Sequence, residues 1–303
     1  MPVDIPEEFR KVASRGADWA AWLDGLPRLA RDLLSEWDLR VDGASAYGNC
    51  SLVVPVRTAD GTPAMLKVQF PHWEAETEHL ALRIWDGNGA IRLLRADPRR
   101  FALLLERALP QDLMGLDAIE ASEIIASLYK RLHVPAGPQF RTLSGESKRW
   151  AAELLELPPS APVPRRYVEQ AASLARDFAA DPETDGKLIH TDLHYFNVLA
   201  AEREPWLVID PKPLSGDPHH EVAPLLWNRW EEIAGARDLR FALRQRFYAI
   251  VDAAGLDEDR ARDWVIVRQL VNVKGAIADA GTDEVLPHDW LTRNIAITKA
   301  IQD

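Results

Sequence analysis

One short stretch holds the densest chemistry in the chain: His190-Thr191-Asp192-Leu193-His194-Tyr195-Phe196-Asn197, with Asp210 closing the next apolar run, Trp206-Leu-Val-Ile. The pattern is H-x-D, four residues, then Asn. Transfer of a phosphoryl group from ATP requires a carboxylate beside the acceptor hydroxyl and oxygen ligands for a hard divalent cation between the phosphates. Asp192 is the expected proton acceptor, Asn197 and Asp210 the expected Mg2+ ligands, and His190 a buttress for the loop. A plainer account is a polar loop whose Asp and Asn side chains satisfy local turn amides. It loses ground because Lys187-Leu-Ile, Val198-Leu-Ala and the run ending at Asp210 set both carboxylates at adjacent strand ends.

Lys67 is the one cation in the apolar run Ala64-Met-Leu-Lys-Val. A strand lysine often just faces solvent by alternation. The same placement also lets an ammonium group reach ATP phosphates while a helix glutamate holds it. Glu74, Glu76 and Glu78 are the candidates; the apolar pattern beginning at Glu78 favours that residue. Gly43-Ala-Ser-Ala-Tyr-Gly48-Asn-Cys-Ser51 precedes Lys67, and its backbone near Gly48 and Ser51 is a candidate phosphate cover, with a glycine-bearing hairpin turn as the equal alternative. Glu106 ends a further apolar run, and backbone atoms of about 104–108, Glu106 and Ala108 included, are candidates for pairing with an adenine edge; an ordinary linker is the other account.

These residues need elements to position them. Residues 6–38 have apolar positions at helical spacing, interrupted by Gly25 and Pro27, which predicts one or two helices. Short β-type runs follow, Trp37–Asp42, Cys50–Val56 and Pro63–Phe70, with Asp60-Gly61 as a hairpin signal. A helix over Glu74–Trp85 and two more strands complete a small antiparallel sheet. Beyond Pro110 the spacing predicts helices over about 116–133, 145–157, 165–180, 219–235, 237–254, 258–280 and 287–301. The expected architecture is α+β in two lobes: a nucleotide-binding lobe over 1–106 and a mainly helical lobe over 107–303 carrying the catalytic loop and substrate site.

A net charge of -11 disfavours a nucleic-acid partner, because phosphate-backbone binding depends on clustered Lys and Arg. The acidity is concentrated after residue 110 and suits a cationic small molecule, although acidic surfaces also serve solubility. The single cysteine, Cys50, points to a reducing compartment and reads as a packed residue rather than a nucleophile. With no secretory pattern at the start and no run of membrane-spanning length, a cytoplasmic location without membrane contact is expected.

The motifs together resemble the aminoglycoside phosphotransferases of protein-kinase-like fold, within them the streptomycin 6-kinase and hydroxyurea-resistance kinase branch. The resemblance rests on Leu188–Ala200, on Trp206-Leu-Val-Ile-Asp-Pro-Lys212, on Gly216-Asp-Pro-His-His-Glu-Val-Ala-Pro-Leu-Leu-Trp-Asn228, and on Leu82–Leu94. It implies ATP- and Mg2+-dependent phosphorylation of a hydroxyl on a small antibiotic-like molecule, with Asp192 as catalytic aspartate, Asn197 and Asp210 as metal ligands and Lys67 on the phosphates. Thr191 replaces the arginine usual in protein kinases, Asp210-Pro211-Lys212 replaces D-F-G, and no A-P-E segment occurs, which argues against a protein substrate. A streptomycin-like acceptor carries guanidinium groups, for which Asp217 and Glu221, with Trp227 or Trp230 stacking, are candidate partners. Most of the 11 tryptophans must simply be core, and Glu221 serves equally well as a support beneath the loop.

Other readings remain. Another hydroxylated metabolite or hydroxyurea is an alternative acceptor. His190, Asp192 and His194 alternate and, with Asp210, His219 and His220, suit a transition-metal hydrolase. A nucleotide-binding pseudokinase is the third class, disfavoured because the lysine, the aspartate base and both metal ligands all have candidates.

Overall fold

The computed structural model of the chain describes residues 3–279 and 288–302. Its elements run, in order, α1 (Ala17–Glu36), β1 (Arg40–Val41), β2 (Ala46–Tyr47), β3 (Ser51–Arg57), β4 (Pro63–Gln69), α2 (Glu78–Trp85), β5 (Leu93–Asp97) and β6 (Ala102–Glu106). Then come α3 (Ala118–Leu132), α4 (Leu143–Leu155), α5 (Arg165–Ala180), β7 (Lys187–Ile189), β8 (Val198–Ala200), β9 (Trp206–Val208) and β10 (Leu214–Gly216). The chain closes with α6 (Ala223–Trp227), α7 (Glu231–Ala234), α8 (Leu239–Ala254), α9 (Glu258–Asp279) and α10 (His288–Ile301). Two compact units result: residues up to 110 together with 200–212, and residues 111–199 together with those from 213 onward. The return segment 200–212, which a single division after residue 106 assigns to the second lobe, groups with the first unit.

In the first unit β1, β3, β4, β6 and β5 form an antiparallel sheet in that order, with β2 also on β3. The alternation in β3 and β4 sends Leu52, Val54, Val56, Ala64, Leu66 and Val68 to one face, where all are fully buried. Leu23, Leu26 and Leu33 of α1 meet that face. They recur at helical spacing, and the stripe carries α1 unbroken through Gly25 and Pro27, where the sequence suggests an interruption. Burial against the sheet outweighs the one backbone bond that the proline removes. The Asp60-Gly61 hairpin forms as expected: Gly61 has φ +88°, and Thr58 N–H donates to Thr62 O at 3.0 Å.

In the second unit α4 and α5 pack side by side, and α9 closes over them with Ile266, Leu270 and Val273 in one core and Trp264 and Val267 in the next. The helix expected over 219–235 is instead a 3-10 turn, α6 and α7. The break lies at Asn228, which is extended, and Arg229, which has φ +55°. Buried Arg246 of α8 donates to both carbonyls released there, at 3.2 and 3.0 Å, so a tertiary contact compensates the break. Among the described residues, no helix is long and apolar enough to cross a membrane.

Two constraints hold the segment 214–222. β10 pairs antiparallel with β7, Gly216 opposite Lys187, and a Cβ at Gly216 would stand 2.4 Å from Ile189 Cδ1 and 3.1 Å from Leu143 Cβ. Asp217, 2% exposed, accepts from His219 N–H and Nδ1, from Trp264 Nε1 at 2.7 Å and from Arg260 Nε at 2.5 Å. Burial alone raises the Asp217 carboxyl, but the bonds from His219 and Trp264 outweigh it and hold it down at about 2.

Gly216→Ala is expected to destabilise the protein by about 1–3 kcal/mol through overpacking, measurable as a lower urea midpoint. For Asp217, whose folded pKa lies below the unfolded value, the stabilisation is complete above about pH 4 and is lost as pH falls toward about 2. The stability gap between wild type and Asp217→Asn should therefore shrink by about 2 kcal/mol over that window. A gap that stays constant with pH contradicts the assignment.

Candidate active site

In the first unit, strand alternation puts Lys67 and Gln69 on the face of β4 opposite the apolar core, toward α2. Lys67 is 5% exposed, and its Nζ donates to both carboxylate oxygens of Glu78 at 2.8 Å and to Asp210 Oδ1 at 2.5 Å. Gln69 Nε2 adds a bond of 2.7 Å to Glu78 Oε2. Glu74 and Glu76 lie in the preceding 3-10 turn, and Glu74 stands 3.6 Å from His72 instead. Burial opposes the charge on Lys67, but the carboxylates of Asp210 and Glu78 prevail and raise its pKa, so it stays an ammonium ion. Glu78, fully buried and close to the second carboxylate, is pushed up.

Asp210 follows β9 with φ +56°, and its side chain is 44% exposed. Its segment is fixed by Val208 N–H to Gly89 O at 2.9 Å and Ile91 N–H to Val208 O at 3.0 Å. A carboxylate held this way and open to solvent is a hard oxygen donor, of the kind Mg2+ prefers. At the turn before β3, Gly48 N–H donates to Ser51 O at 2.9 Å and Arg15 Nη1 to Asn49 O at 2.6 Å. Ser51 is 7% exposed and pairs with Gln69. Cys50 is a free, half-buried thiol whose pKa burial raises, which fits a packed residue. The Glu106 side chain is engaged by Arg203 and by the Arg92 N–H, which leaves backbone atoms near 104–108, Ala108 included, as the candidates for an adenine edge.

In the second unit the loop 190–197 is braced from below. Glu221, fully buried, accepts from the N–H groups of His190 and Thr191 at 2.5 and 2.8 Å and contacts His133 Nε2 at 2.5 Å. Tyr129 Oη donates to the Glu221 carbonyl at 3.1 Å. Burial raises Glu221, but the His133 bond and the loop amides overcome this and lower it, keeping it a carboxylate. The brace maintains Thr191 at φ +65°, an uncommon conformation for a β-branched residue, and Arg268 Nη2 donates to the Thr191 carbonyl at 3.3 Å. His190 is fully buried, its Nδ1 accepting from Asp192 N–H at 3.3 Å. Asn197 Nδ2 donates to Asp192 O at 2.8 Å, which orients the amide and leaves its oxygen as the metal-type donor. The Asp192 carboxylate is 23% exposed, with His194 Nε2 at 3.9 Å.

The substrate candidates fare differently. Asp217 and Glu221 are internal supports with their oxygens engaged, so neither offers a surface to a guanidinium group. Trp227 is half-buried with the Arg268 guanidinium 5.5 Å from its ring, and Arg293 lies 5.2 Å from Trp230. The chain's own arginines thus take the stacking contacts envisaged for the acceptor. For the hydrolase reading, His219 bonds to Asp217 and to the Asp257 N–H, while His220 is buried near Trp150 and Trp264. Among the described residues no group of three or more His, Cys, Asp or Glu side chains is arranged to hold a metal ion. Gln69, His133, Arg203 and Arg268 were not evident from the sequence; only Gln69 left a trace, two residues beyond Lys67 on the same strand face.

Comparison with known proteins places the chain in a family. The family model described as aminoglycoside/hydroxyurea antibiotic resistance kinase matches residues 36–278. A streptomycin 6-kinase of Streptomyces glaucescens is 40% identical over 286 residues, covering 91% of this chain and 92% of that protein. A hydroxyurea phosphotransferase of Kitasatospora aureofaciens is 39% identical over 311 residues, covering 99% and 86%. Among solved structures, a thermostable mutant of an aminoglycoside phosphotransferase in ternary complex with ADP and hygromycin B superposes with a TM-score of 0.58 at 17% identity, over 89% of this chain and 97% of that one. The chain has the protein-kinase-like fold of these enzymes and belongs to the aminoglycoside/hydroxyurea antibiotic resistance kinase family.

Proposed function

We propose that this protein transfers the γ-phosphoryl group of ATP to a hydroxyl of a cationic aminoglycoside of the streptomycin type, with Mg2+. The observation that carries the reading is the buried Lys67 ammonium fixed by Glu78 and Asp210. The braced 190–197 loop, with Asp192 and Asn197, supports it. The acceptor class rests on the relatives named streptomycin 6-kinase and on the net charge of -11.

Each residue has a defined task. Lys67 neutralises phosphate oxygens, while Glu78 and Gln69 keep its ammonium group in place. Asp210 and Asn197 supply hard oxygen donors for the divalent ion. Bound Mg2+ would offset the charge that develops on the phosphates. Asp192 orients the acceptor hydroxyl and takes its proton as the new O–P bond forms, ADP leaving with the electrons of the broken bond. His190 and Glu221 hold the backbone from which Asp192 projects.

A coupled ADP-release screen over streptomycin, other aminoglycosides, hydroxyurea, sugars and amino alcohols tests the acceptor; streptomycin should give the highest kcat/KM. Preference for hydroxyurea or a sugar would overturn the acceptor assignment. Asp192→Ala should lower kcat by about 10²–10⁴ while the Kd for ADP stays within about twofold. Lys67→Ala should lower kcat/KM for ATP with little change in the KM of the acceptor. Wild-type turnover in Asp192→Ala would remove that residue from its role.

A further inference from the structure

Arg203 belongs to no motif and lies in the turn joining β8 to β9, yet its guanidinium is among the most heavily engaged groups of the first unit. Its Nε and Nη2 grip Glu106 Oε1 and Oε2 at 2.7 and 3.0 Å. Its Nη1 donates to Gly87 O and to Glu204 Oε1, both at 2.7 Å, and Nη2 donates again to Ala90 O at 2.7 Å. The side chains of Arg203 and Glu106 are 21% and 20% exposed. A two-pronged carboxylate contact of this kind is geometry that a planar guanidinium supplies and an ammonium cannot.

The turn opposite is shaped to receive it. Gly87 has φ +80°, and a Cβ there would stand 3.2 Å from Arg203 Nη2 and 2.8 Å from Arg92 Cγ. Glycine therefore serves both the backbone conformation and the approach of the guanidinium. Glu106 in turn accepts from the Arg92 N–H at 2.9 Å, so the carboxylate bridges the Arg203 turn to the start of β5.

One side chain thus joins three pieces of the first unit. These are the end of β6, whose backbone is the candidate partner of the adenine edge, the turn after the helix that bears Glu78, and the segment that leads through β9 to Asp210. We propose that Arg203 is a positioning residue for the nucleotide. By fixing the return segment 200–212 on the sheet, it keeps Asp210 in register with Lys67 and the end of β6 in register with both. The proposal rests on the phosphotransferase reading. It assigns to Arg203 an effect on nucleotide binding and none on the acceptor.

The test uses the full chain with Arg203→Met, Arg203→Lys and Glu106→Gln. Two readouts are needed: the calorimetric Kd for ADP in the presence of Mg2+, and the separate KM values for ATP and acceptor. The Kd for ADP and the KM for ATP should both weaken by about tenfold or more in Arg203→Met, with the acceptor KM within about twofold. Arg203→Lys should fail to restore nucleotide affinity, and Glu106→Gln should fall between. Should Arg203→Met not fold, the other two variants carry the same comparison. A lowered Tm with unchanged affinity for ADP would make Arg203 merely structural and overturn the proposal. Wild-type protein that binds no ADP would defeat the phosphotransferase reading itself, and this proposal with it. Wild type that binds ADP but phosphorylates no acceptor would defeat only the reading of the reaction, leaving the effect on affinity to decide Arg203.

Discussion

A lysine ammonium group at 5% exposure is tolerable only when opposite charge comes within hydrogen-bond reach, and Lys67 has two carboxylates there. That requirement organises the first unit. It obliges α2 to present Glu78 to the face of β4 away from the apolar core, and it obliges the chain to return over 200–212 so that Asp210 reaches the same ammonium group. Gln69 satisfies Glu78 further, and α1 seals the other face of the sheet. A buried ion cluster of this kind contributes little net stability, because desolvation offsets much of the Coulomb gain. What the cluster does is fix geometry: it sets the Lys67 ammonium group and the solvent-facing Asp210 carboxylate against one another.

The second unit meets a different demand, that of holding a left-handed Thr191 next to the Asp192 carboxylate. Glu221 does so with its side chain alone, taking two consecutive backbone amides on one oxygen and His133 on the other. Asp217, four residues earlier, ties the same segment to the first turns of α9 through Arg260 and Trp264. The acidic residues of the Gly216–Asn228 run therefore act as internal fasteners. This explains why they are poor candidates for contact with a cationic acceptor even though the charge sign suits one.

What could be read from the sequence follows from which features are local. Period-two alternation places Lys67 on a strand face, the helical pattern starting at Glu78 favours it over Glu74 and Glu76, and Asp60-Gly61 specifies a hairpin; each depends on a few adjacent residues. The H-x-D-x4-N string is equally local, so the loop and its flanking strands are legible. Long-range compensation is not. Nothing near Pro27 announces that α1 will persist, because the reason is the sheet it covers. Nothing in 219–235 announces a break that Arg246, in a later helix, makes good. Arg203 and His133 act as single side chains across large sequence separations and leave no periodic trace.

Whether these groups carry out phosphoryl transfer to an alcohol is read out by phosphorus NMR of streptomycin incubated with the protein, ATP and Mg2+. A phosphomonoester resonance, split by the proton on the modified carbon, should grow in step with ADP. Formation of ADP and inorganic phosphate alone, or no consumption of ATP with any hydroxylated acceptor, would contradict it.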